Sequence, residues 1–105
     1  MIEKANLTKL VKNYPTNDSH KERILEFLIK NEDFWTKNNK SGQITASCWV
    51  VNKERTKALM THHKKLNRWL QIGGHLEAED HFIVDACLRE LKEESGLTRF
   101  LLPIF

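Results

Sequence analysis

Long hydrophobic runs are missing from this chain. No window approaches about 18 consecutive apolar residues, so no membrane-spanning helix is expected. Glycine and proline are scarce, 4 and 2 residues in 105, which excludes collagen-like and low-complexity classes. Cysteine is scarce as well. Cys48 and Cys87 each sit in an apolar run, and their spacing fits neither a redox CxxC nor a zinc site. Both read as small buried hydrophobes in a reducing compartment. The N-terminus has no apolar stretch followed by a small-residue cleavage site, so a cytoplasmic rather than secreted protein is expected.

What is present suits one folded domain: 40% hydrophobic and 30% charged residues in 12.4 kDa. The charge is uneven. Residues 1–70 carry a formal +7 and residues 71–105 a formal −4. One reading is solvated faces that differ. The other is a polyanionic substrate held by basic groups, beside an acidic site for divalent cations. The lysines form no run of five or more, so dedicated nucleic-acid binding is not expected.

Leu7, Leu10, Val11 and Tyr14 make one helical stripe, ended by Pro15. Ser19 followed by Glu22 reads as a capping box opening a second helix, with Ile24, Leu25, Leu28 and Ile29 as its apolar face. Phe34 and Trp35 anchor its exit. The polar turn Lys37–Gly42 is the expected boundary, with a helical lead-in over 1–36 and the main domain over 40–105. Gln43–Val51 predicts one buried strand, and Thr56–Thr61 its hairpin partner. A basic loop, His62–Arg68, precedes a short extended piece, Trp69–Ile72, which runs into Gly73-Gly74. A helix is predicted over Phe82–Ser95, with Gly96 just past its end.

That helix carries the chemistry. With Phe82 placed at ~0°, Glu93 falls near ~20°, Glu90 near ~80° and Glu94 near ~120°. The three carboxylates continue the arc of Ile83, Ala86 and Cys87. Asp85, Arg89 and Lys92 form the expected solvent strip. Three like charges on a partly desolvated face repel, and hard divalent cations relieve that. The alternative is a glutamate-rich helix end paired with Lys92, Arg99 or loop cations.

The run Arg89-Glu90-Leu91-Lys92-Glu93-Glu94-Ser95-Gly96-Leu97, preceded by Gly73-Gly74-His75-Leu76-Glu77, resembles the Nudix box. The box reads G-x5-E-x7-R-E-U-x-E-E-x-G-U, with U aliphatic. Its C-terminal half matches at every fixed position. Five fixed identities arise by chance on the order of once per million windows. Two departures stand out: Asp80 occupies the first acidic position, and eight residues separate it from Arg89. Either Glu79 or Asp80 could act as that supporting acid. The similarity extends over most of residues 40–97, toward a branch with a helical N-terminal extension.

The resemblance implies an α/β fold, a Nudix-like α/β/α sandwich with a mixed sheet. It implies a metal-dependent hydrolase of nucleoside diphosphates linked to another group. Glu90, Glu93, Glu94 and the Gly73 carbonyl would bind Mg²⁺ or Mn²⁺. Arg89 would pair with a glutamate of its own helix. Glu93 or Glu90 would orient or deprotonate the attacking water, a role the family often places elsewhere. From its place beside the glycine pair, His75 is expected to contact the loop or a substrate phosphate; Lys64, Lys65 and Arg68 would help attract phosphate, with a solvated loop as the alternative. The family's sheet continues beyond the box, whereas the sequence ends at Phe105 after the apolar TRFLLPIF. The expectation is therefore an incomplete domain, covered in a homodimer or domain-swapped oligomer. A non-catalytic Nudix-derived binding or regulatory module is the alternative function.

His62 and His63, adjacent on a strand end, point to opposite faces and are not expected to share an ion. Trp69 is read as core ahead of a base-stacking platform, and Trp35 and Trp49 as core.

Overall fold

A computed structural model describes residues 1–97. Its elements run α1 (Lys4–Lys12), α2 (Ser19–Lys30), β1 (Thr45–Cys48), β2 (Val50–Val51), β3 (Ala58–His63), β4 (Arg68–His75) and α3 (Ile83–Ser95). The predicted extended segment after Leu97 lies outside the described residues.

The two N-terminal helices form with a different cap and a narrower buried face than the periodicity implies. Asp18, not Ser19, caps α2: its carboxylate accepts the Lys21 N–H at 2.9 Å. Leu7 and Leu28 are buried, whereas Leu10, Tyr14 and Ile29 are exposed. The helices need only a thin apolar strip, because they pack on one side alone. Leu7 and Leu28 join Ile2, Phe34, Ala46, Leu76 and Ala86 in one core cluster. Burial of a leucine such as Leu28 contributes about 2 kcal/mol. Past the polar turn, the Ile44 N–H bonds the Phe34 carbonyl at 2.7 Å, tying the helical lead-in to the strands.

The four strands pair antiparallel in the order β1-β4-β3-β2. The single strand expected over Gln43–Val51 is two strands on opposite edges, with Trp49 alone between them. In a flat sheet those edges would lie roughly 14 Å apart, while Cys48 and Val50 can be no more than about 7 Å apart. The sheet therefore curls. Trp49 sits at the corner and is exposed rather than core.

The expected hairpin is present as β2–β3. Asn52 closes its turn by accepting the N–H groups of Thr56 and Lys57 at 2.9 and 3.0 Å. β4 is longer than predicted and carries both Gly73 and Gly74 within its span. Side chains alternate along β4. Leu70, Ile72 and Gly74 share the face toward α3, and Trp69 and Gln71 share the other. Trp69 is 67% exposed, which corrects its reading as core.

Candidate active site

Helix α3 lies against β1 and β4, and the glycine pair of β4 makes two very close approaches, one to α3 and one to β1. A Cβ on Gly74 would stand 2.6 Å from Oε1 of Glu90, and one on Gly73 would collide with the Ala46 carbonyl and, at 2.7 Å, with the Ser47 Cα. Side chains at these positions would push the helix carboxylate off one strand and prise that strand from its neighbour. Gly74 therefore opens the cradle in which Glu90 lies, and Gly73 lets β1 close beside it.

Local caps fix α3 in place. The Asp85 carboxylate accepts the Phe82 N–H at 2.9 Å, and Gly96 ends the helix in the left-handed region at φ 74°. The C-terminal stop agrees with the sequence reading.

Arg89 does not lie on a solvent strip. It turns inward and grips the loop between β4 and α3. Its Nε and Nη2 donate to Oδ1 and Oδ2 of Asp80 at 3.2 and 2.9 Å. Nη2 also donates to the His75 carbonyl (2.9 Å), and Nη1 donates to Glu90 Oε1 (3.0 Å). Nη1 further lies 3.3 Å from Glu77 and 3.6 Å from Glu93. Asp80 is buried and also accepts the Glu77 N–H at 2.9 Å. The Arg89 guanidinium holds the Asp80 carboxyl below the usual carboxylate range, against the opposing effect of burial. The same ion pair pushes the Arg89 pKa upward.

Of the two acids considered for the supporting position, the structure brings Asp80 onto Arg89 and leaves Glu79 exposed. The shorter side chain and the one extra residue go together here. Glu77 belongs to the same network and was missed. Its place in the loop four residues after Gly73 carries no helical or strand period to reveal it.

The glutamates separate into two groups. Glu90 is mostly buried, 13% exposed, between Gly74 and Arg89. Glu94 lies one turn on. Desolvation and the neighbouring Glu90 carboxylate raise its pKa, while the Gly73 backbone opposes the rise. Glu93 is 57% exposed and faces Arg89. Glu90 thus lies against Gly74, and the exposed Glu93 and Glu94 stand beside it on the same helix, each charge felt by Glu94.

Two crowded carboxylates, one holding its proton more tightly than usual, form an oxygen-donor set suited to a hard divalent cation. Among the described residues no three His, Cys, Asp or Glu side chains stand together as a finished metal cage.

The remaining expected residues are dispersed. The His75 ring is held by Gln43, whose Nε2 lies 2.7 Å from its Nδ1. Lys64 lies in the β3–β4 turn and Arg68 at the start of β4, the latter roughly 20 Å along the strand from Gly74. Cys48 and Cys87 are free thiols where β1 meets α3. Each donates to a carbonyl across the contact, Cys48 to Cys87 at 3.0 Å and Cys87 to Ser47 at 3.3 Å. Burial pushes the Cys87 thiol up to about 12 and raises Cys48 as well.

No curated protein matches the chain. The family model for the NUDIX domain matches residues 42–104, more than half of the sequence, and covers the strands, the glycine pair and α3. With this match the site and the fold agree, and the chain belongs to the NUDIX domain family, a family of pyrophosphate hydrolases that in general use divalent metals such as Mg²⁺.

Proposed function

We propose that this protein is a divalent-metal-dependent hydrolase of a nucleotide-like diphosphate, acting at the face of α3 that meets Gly73 and Gly74. The observation that carries the reading is the Glu90 carboxylate lying against Gly74, with Glu94 one helical turn on and close enough for the Glu90 charge to raise its pKa. Glu90, Glu94 and the Gly73 carbonyl would hold the cation, with Glu93 at the rim of the site. When bound, the cation supplies charge neutralisation for the diphosphate and acidifies a water molecule.

The chain's own side chains do the rest. Arg89 holds Glu90 in one rotamer and is itself held by Asp80, so the carboxylate is positioned before substrate arrives. Glu93, more exposed than Glu90, is the side chain open to accept a proton from water. His75, held by Gln43 beside the glycine pair, would meet a phosphate oxygen. Residues 1–36 are proposed as a helical extension supporting a Nudix domain over 40–105, and their buried Leu7, Leu28 and Phe34 in the shared core support this. The free cysteines support a reducing, cytoplasmic setting.

The test is phosphate or nucleotide release from a panel of nucleoside-diphosphate compounds, with Mg²⁺ or Mn²⁺, comparing wild type with Glu94→Gln. Turnover that needs metal and falls at least about 100-fold in the variant is expected. Turnover unaffected by the substitution removes the site from the reaction.

A further inference from the structure

The scatter of lysines along the sequence hides a concentration in space. From Arg55 to Leu76 the chain has five Lys or Arg residues, three histidines and no acidic residue. These residues span the β3–β4 hairpin and its approach. Lys64, Lys65 and Arg68 cluster at its tip, and none makes an ion pair among the described residues.

Beside that tip stands Trp69, the exposed aromatic that the core does not use. It is cross-strand partner to His62, with ring centroids 5.0 Å apart at 65°. The histidine braces the indole from β3, and most of the tryptophan surface still faces water. A braced aromatic loses little further freedom on binding. A planar platform flanked by unopposed cations is the combination that binds single-stranded nucleic acid, with bases stacked on the ring and phosphates met by the cations. A membrane-inserting tip would need a broader apolar surface, and here only Leu66 accompanies Trp69 among charged and polar neighbours. The hairpin tip is also roughly 20 Å along β4 from the glycine cradle, so it is a surface separate from the proposed reaction site.

We propose that the β3–β4 hairpin is a docking surface for single-stranded nucleic acid, with Trp69 as the stacking platform and Lys64, Lys65 and Arg68 as the phosphate contacts. The proposal does not depend on hydrolysis.

The test is fluorescence anisotropy of the whole chain, in EDTA, with end-labelled oligo-dT and oligo-U of about 12 nucleotides. Three phosphate contacts predict a slope of log K against log[salt] near about −2. Trp69→Ala is expected to weaken binding about tenfold, and Trp69→Phe to restore most of it. Joint alanine substitution of Lys64, Lys65 and Arg68 is expected to flatten the salt slope. The tighter oligonucleotide identifies DNA or RNA as the source. Oligonucleotide binding that Trp69→Ala leaves unchanged overturns the proposal. So does capture by phosphatidylserine vesicles with no oligonucleotide bound.

Discussion

The Glu90 carboxylate occupies the space where a side chain on Gly74 would begin, with Oε1 2.6 Å from that absent Cβ. Gly73 is constrained differently, by the backbone of β1 rather than by a mobile side-chain end. The two glycines should therefore fail in different ways. Gly74→Ala should keep the fold, because Glu90 can swing aside, and lose hydrolysis. Gly73→Ala should destabilise the protein by about 1–3 kcal/mol, because strand β1 must move. Urea denaturation and turnover, measured on both variants, check this division.

Asp80 is buried and ion-paired, so its carboxyl titrates lower in the folded than in the unfolded chain. The stability it contributes is full above the unfolded carboxylate pKa and is lost as pH falls through the lower folded value. Asp80→Asn should cost about 1.5–3 kcal/mol at pH 7. The variant should also show a shallower loss of stability than wild type as acid is added below about pH 4. Urea midpoints measured from pH 7 to pH 2.5 give both quantities.

Leu28 joins α2 to the core shared with Ala46, Leu76 and Ala86. Leu28→Ala should destabilise the whole protein by about 2–5 kcal/mol. A single unfolding transition in this variant, seen by both circular dichroism and tryptophan fluorescence, is the expected result.

The thiols at the β1–α3 contact should be slow to react. Their pKa values are raised by burial, Cys87 to about 12, so little thiolate exists at pH 8. Iodoacetamide should label the native protein far more slowly than the urea-unfolded chain, as read by intact mass.

Much of the site was legible because one helix carries it. Positions 90, 93 and 94 are spaced by the helical period, and the stop at Gly96 is local. Arg89 was misplaced for the same reason. A helical wheel sees only its own helix, and the loop over Glu77 and Asp80 folds across the face the wheel assigns to solvent. The exposure of Glu93 and Glu94 beside a mostly buried Glu90 depends on how α3 seats on β4, which no local pattern encodes. Trp49 and Trp69 defeated the reading in another way. Their apolar, strand-like context resembles a core strand, yet one stands at a corner and the other on the face away from α3.

The claim on which the rest depends is that Glu90 and Glu94 together hold a divalent cation. Mn²⁺ titration followed by electron paramagnetic resonance of the free ion tests it directly. The account predicts that wild type depletes the free-ion signal and that Glu94→Gln weakens this binding about tenfold or more. Equal depletion by wild type and by Glu94→Gln, with the variant folded by circular dichroism, would contradict it.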